Sequence, residues 1–158
     1  MRIYATSLTA ESMGVHLGKW FDLAEYDDAY TVESVIYDEL TMWEWRIDKI
    51  DASFPISLQT DLETLVKLQT TYLDDLYYHE AFELYAQYHG DVTYAVDHFE
   101  DAYRGLWKSL EDYALDWFEE IHGDVNLPGY RIEIDEIAWR CDHVELDGSG
   151  GTHIFSAI

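Results

Sequence analysis

The chain is predicted to be an α+β protein made of three small modules, and three observations predict it. Acidic residues are spread over the whole chain: residues 1–58 carry 11 acids and 4 bases, residues 59–105 carry 10 and 2, and residues 106–158 carry 12 and 3, so each third is acidic by itself. The sequence is nevertheless 48% apolar and 16% aromatic, which is the composition of a folded core and not of a disordered acidic tail. Its hydrophobic periodicity alternates like strands near both ends and runs at helical spacing in the middle. The reading is an N-terminal three-stranded sheet plus helix over 1–58, a central all-helical module over 59–105, and a C-terminal α+β module over 106–158. Modules of such like charge repel one another, so an elongated chain is expected.

In order, residues 2–7 (RIYATS) read as a strand, residues 11–14 as a turn, and residues 15–23 (VHLGKWFDL) as a second strand with Gly18 forming a bulge. Residues 31–40 read as a helix capped by Thr31, with Val32, Val35, Ile36 and Leu40 inward. In residues 43–50, Trp43, Trp45 and Ile47 alternate with Glu44, Arg46 and Asp48, a strand with one wet face. Pro55 marks a connection. Thr60 opens a helix reaching about Leu73. Residues 74–89 read as a helix or helix pair burying Leu76, Tyr77, Phe82, Leu84, Tyr85 and Tyr88, and ended by Gly90. Two further helices flank a break at Arg104-Gly105. Asp91 caps the first, whose stripe is Val92, Ala95, Val96, Phe99 and Tyr103. Ser109 and Asp112 cap the second, whose stripe is Leu110, Tyr113, Ala114, Trp117, Phe118 and Ile121, and Gly123 stops it. Residues 60–105 thus read as wholly helical. Residues 130–134 read as a strand, Asp135 caps a helix to about Val144 with Cys141 in its core, residues 147–151 form a loop, and residues 152–158 a last strand.

Net charge is −24. Such a field repels nucleic acid and anionic membrane and attracts basic surfaces, the largest of which belong to proteins that bind DNA. No run of about 18 apolar residues crosses a membrane. MRIYATSLTAES has no apolar core of a signal peptide, so a cytoplasmic location is expected. A single cysteine excludes an internal disulfide. Glu119-x-x-His122 has the spacing of a di-iron ligand pair, but none of the other six histidines has a glutamate three residues before it. No P-loop, G-x-G-x-x-G, G-x-S-x-G or H-E-x-x-H occurs. No catalytic, cofactor-binding or metal-ligating residue is therefore assigned, and no enzyme activity is expected.

The candidate site is a surface. From Leu68 to Tyr103 there is no base against eight acids, and the outer faces of the helices carry Asp74, Asp75, Glu80, Glu83, Asp97, Glu100, Asp101, Glu111, Asp112, Asp116, Glu119 and Glu120. Like charges at i, i+4, such as Asp97/Asp101 and Asp112/Asp116, each cost a helix about 0.2–0.5 kcal/mol. A fold needing only solubility would intersperse lysines. Acids one to two helical turns apart, at ~5.4 Å per turn, form a negative row comparable in spacing to the phosphates of one DNA strand.

Several stretches resemble one family. Arg2-Ile-Tyr followed by Gly18-Lys-Trp-Phe-Asp-Leu23, then Phe99-Glu-Asp-Ala-Tyr-Arg-Gly105 with Ser109-Leu-Glu-Asp-Tyr-Ala114, then Ile134-Asp-Glu-Ile-Ala-Trp-Arg-Cys-Asp142 and Gly150-Gly-Thr-His-Ile-Phe155 are similar, in the same order, to the ArdA antirestriction proteins of mobile elements. Residues 53–88 match only in helical, acidic character. The resemblance implies a DNA mimic of plasmid or phage type, elongated, dimeric through its C-terminal module. Its carboxylates would imitate duplex phosphates in the DNA groove of a type I restriction–modification enzyme, on the specificity and methyltransferase subunits, blocking restriction and often affecting modification. It implies no cofactor. The rival reading is an acidic adaptor that binds a basic protein without imitating DNA.

Overall fold

The computed structural model describes residues 1–41, 44–123 and 133–157, and the chain is α+β. It falls into two compact units, residues 1–96 and 97–158.

The first unit opens with β1 (Arg2–Ser7), α1 (Leu8–Ser12) and β2 (Gly18–Asp22), followed by α2 (Ala29–Leu40) and β3 (Trp45–Asp51). The strands form an antiparallel sheet in the order β2-β1-β3. Ile3 and Ala5 of β1 point into the core with Phe21, Leu23, Val32, Ile36 and Leu40. The bulge expected at Gly18 lies elsewhere. Gly18 pairs regularly with Thr6, and the register shifts instead between β1 and β3, at Tyr4/Ala5. Tyr4 faces Lys49 and Ala5 faces Ile47, so Asp48 is the extra residue and both Ile47 and Ile50 reach the core. A strict alternation from Trp45 would have turned Lys49 inward. The expected strand over 15–23 is shorter, beginning at Gly18, and the first half of the expected turn at 11–14 belongs to α1, capped by the Ser7 hydroxyl, which accepts from Ala10 N–H at 3.2 Å. Trp43 lies outside the described residues.

Two caps differ from expectation in the same way. α2 starts at Ala29, and Asp28, not Thr31, is its N-cap. The carboxylate accepts the Thr31 backbone N–H at 2.8 Å and the Thr31 hydroxyl at 2.9 Å. In α3 (Leu62–Lys67), Asp61 rather than Thr60 plays this part toward Thr64, at 2.8 Å to both groups. A carboxylate is the stronger acceptor, and a threonine three residues later can give it two hydrogens.

α3 runs into one π-helical stretch, Leu68–Leu73, which buries Gln69 and Tyr72. Residues 74–78 turn rather than continue a helix, and α4 (His79–His89) follows, closed by Gly90 in the left-handed conformation. Leu76, Tyr77 and Tyr88, expected to be buried, are exposed. Phe82 and Tyr85 are buried as expected, Phe82 stacked on Tyr72 with ring centroids 4.4 Å apart. α5 (Val92–Ala102) follows Asp91, whose carboxylate accepts from Tyr94 N–H.

The second unit contains the strand that the sequence reading missed. Residues 103–107 do not end a helix; they are β4 (Tyr103–Trp107). α6 (Leu110–His122), α7 (Glu136–Asp142), β5 (His143–Gly148) and β6 (Gly151–Ser156) complete it, with the antiparallel order β4-β6-β5. Ser109 caps α6 and Asp135 caps α7, as read. Val144 belongs to β5, so α7 is shorter than expected. Cys141 is exposed rather than in the core. The expected loop over 147–151 is a hairpin in which Gly148 pairs with Gly151. Leu110, Tyr113 and Ile154 form one cluster of its core, with Trp107 and Trp139 against it, and Phe99, Ala102, Ala114 and Phe155 are buried too. His153 is buried and shares a hydrogen bond of 3.0 Å with the Tyr103 hydroxyl. In α6 the stripe is buried only through Ala114; Trp117 and Ile121 are 42% and 54% exposed. The expected strand at 130–134 lies largely outside the described residues, and its described members, Glu133 and Ile134, are not in a strand. β6 ends at Ser156, and Ile158 is outside the described residues.

Candidate functional site

The twelve predicted surface acids divide into two groups. Asp74, Asp75, Glu80 and Glu83 stand at the turn before α4 and on its first half. There Asp74, Asp75 and Glu83 also make hydrogen bonds within the fold. Asp74 Oδ1 accepts from the Gln69 side-chain amide at 2.6 Å, and Asp75 Oδ1 accepts from Tyr77 N–H at 2.8 Å. Glu80 and Glu83 are half-buried. Glu83 Oε1 accepts from the Ser53 hydroxyl and lies 3.1 Å from His79 Nε2. These partners, some distant in sequence, were invisible to helical spacing.

The other eight are all exposed, as are Asp74 and Asp75. Asp97, Glu100 and Asp101 lie on α5, whose Val96 and Phe99 are buried. Glu111, Asp112, Asp116, Glu119 and Glu120 lie on α6, whose Leu110, Tyr113 and Ala114 are buried. Among the described residues, ion pairs join Arg2 to Asp51, Lys19 to Glu39, Arg46 to Glu11 and Asp48, His79 to Glu83, and Arg140 to Glu145; none reaches these eight acids. The bases that do form pairs are thus spent elsewhere. Only Asp112 has a local role, its carboxylate accepting from the Ser109 hydroxyl at 3.1 Å. Asp112, Asp116 and Glu119 or Glu120 follow one another at i, i+4 and i+7 or i+8, so they share one side of the helix.

Among the described residues, no group of three or more His, Cys, Asp and Glu stands ready to hold a metal ion. No helix among them is long and apolar enough to cross a membrane. Burial pushes up the Tyr113 hydroxyl in the core of the second unit, and burial pushes the Tyr85 hydroxyl up to about 12. Sequence reasoning passed over Leu115, which belongs to neither the buried stripe nor the acids. The signal was available, since Leu115 is three residues from Asp112 and four from Glu119.

Fold and surface together define a class: a small acidic α+β protein whose distinctive chemistry is displayed on helical faces. The chain belongs to the antirestriction protein (ArdA) family, whose family model matches residues 3–152 of the 158. It is accordingly an antirestriction protein, from a family of non-enzymatic inhibitors. No curated protein matches the sequence. The stretches that carry the resemblance fall on regular elements: Arg2-Ile-Tyr on β1, Gly18-Lys-Trp-Phe-Asp on β2, Glu136-Ile-Ala-Trp-Arg-Cys-Asp142 on α7 and Gly151-Thr-His-Ile-Phe155 on β6.

Proposed function

We propose that this protein inhibits type I restriction–modification enzymes by occupying the groove that otherwise takes duplex DNA, on the specificity and methyltransferase subunits. The carboxylates of α5 and α6 stand in for phosphates. The observation that carries this is the eight exposed acids, uninterrupted by any base on either helix and outside every ion pair of the described residues. Carboxylates outside any internal ion pair keep their charge available to a basic groove. Three modules, 1–58, 59–105 and 106–158, divide the work, and two chains pair through the last of them. The exposed Trp117, Ile121 and Ile137 favour that pairing, since apolar surface is what can bring two strongly negative chains together.

The test is a titration of a purified type I methyltransferase carrying labelled cognate duplex. DNA displaced one-for-one, without cofactor or turnover, is the expected result. A stable ternary complex of enzyme, DNA and inhibitor would refute mimicry and favour an adaptor that binds the same enzyme elsewhere.

A further inference from the structure

A groove of about 420 Å³ in the second unit places apolar surface directly among the α6 carboxylates. Leu106, Trp107 and Leu115 line it together with Asp112, Asp116 and Glu119, with Lys108 beside them. Leu115 shares a helix face with Asp112 and Glu119 and lies off the buried stripe of Leu110, Tyr113 and Ala114. Leu106, on β4, is 41% exposed. The Trp107 indole N–H donates to the Arg104 carbonyl at 2.9 Å, so the ring is held with its polar edge satisfied.

A row of charges meant only to resemble phosphates has no use for apolar lining among them. Three carboxylates beside such a lining suit a long side chain with an aliphatic stem and a cationic head, the stem covering leucine and the head meeting the carboxylates. Arginine fits better than lysine. Its guanidinium can engage two carboxylate oxygens at once, is more weakly hydrated, and stacks on an indole. We propose that this groove receives an arginine side chain from the target's DNA-binding surface, with Leu106, Trp107 and Leu115 covering its stem and Asp112, Asp116 and Glu119 holding its guanidinium. This rests on the mimic reading only in taking the arginine from the surface that DNA would otherwise cover. Lys108 opposes a bound cation, but it is exposed and free to turn into solvent, where such repulsion is small.

Two measurements test the groove. In the first, L106S and L115S keep every carboxylate. Each is checked by circular dichroism and then compared with the original chain for binding to a type I methyltransferase. About tenfold weaker binding is expected for each folded variant, from the lost apolar cover. Unchanged binding by both, with weakening by the triple variant D112N/D116N/E119Q, would overturn the groove and leave mimicry standing. In the second, which needs neither a variant nor the enzyme, the original chain is titrated with acetyl-Gly-Arg-Gly-amide and its lysine and citrulline counterparts. Nuclear magnetic resonance follows the Trp107 indole N–H and the Leu106 and Leu115 methyls. The arginine peptide should shift all three, the lysine peptide less, and the citrulline peptide not at all. Equal shifts from arginine and lysine, or no shift from arginine, would overturn the proposal even if DNA competition succeeds.

Discussion

Asp61 shows how much one carboxylate does when it is built into the fold. The Thr64 backbone N–H, helped by the Thr64 hydroxyl, holds its carboxyl below the usual range. Because the folded value is the depressed one, this contribution is present above the unfolded value of about 4 and is lost as pH falls through the folded value. D61A should therefore lower stability by about 1 kcal/mol at neutral pH, and D61N by much less, because asparagine also caps. The original chain should lose its advantage over D61N in thermal melts taken at pH below about 4. Asp116 is the opposite case, exposed and without an ion pair among the described residues. D116N should hardly change inhibition, since an exposed pair is worth about 0–1 kcal/mol. Neutralising Glu111, Asp112, Asp116, Glu119 and Glu120 together should weaken it with the fold intact by circular dichroism. A single substitution that abolished inhibition would contradict the distributed surface. The two kinds of acid were only partly separable in the sequence. D-x-x-T before a helix is legible as a cap, but the apolar spacing alone points to Thr31 and Thr60 where Asp28 and Asp61 do the capping. Glu83, tied to Ser53 thirty residues away, could not be recognised from spacing along one helix.

Elements were legible where the periodicity was long. The N-terminal sheet, α2, α4, α5 and α6 all follow from their stripes or alternation. β4 was lost because it has five residues, contains Gly105, and shifts register against β6 between Tyr103 and Gly105. Tyr103 also falls in step with the α5 stripe, so the helical pattern runs past the helix. Leu76 and Tyr77 were misplaced for a related reason: apolar residues in a turn have no period to betray them. β4 depends on a close approach at Gly151, where φ is +153° and a Cβ would collide with the Trp107 carbonyl oxygen. Gly90 also has positive φ, at +67°, but open space around it. G151A should thus cost clearly more in melting temperature than G90A, which should cost about 1–2 kcal/mol for its left-handed backbone alone. Comparable losses would mean that the backbone at Trp107 moves aside without difficulty.

Across the whole molecule, 33 acids against 9 bases set behaviour that no single element sets. Association with a basic groove should slow as salt rises, because the Debye length is already ~8 Å at physiological ionic strength. The dependence of affinity on salt should be shallower than for duplex DNA, since protein carboxylates carry no condensed counterion layer to release. Parallel titrations of inhibitor and DNA at several salt concentrations check this; equal slopes would contradict it. Higher salt should also strengthen the proposed pairing of two chains by screening their repulsion, which sedimentation equilibrium at two ionic strengths can read.

The eight unpaired carboxylates also bear on how such a protein changes over generations. A surface that works by summed charge has no position whose loss is fatal, so aspartate and glutamate can exchange, and acids can shift by a helical turn, with little penalty. Selection then holds the amount of negative charge and the helices that display it, while the letters drift. A host enzyme has the narrower choice: on the proposed mechanism, any change in its groove that rejects this surface also loosens its hold on its own DNA.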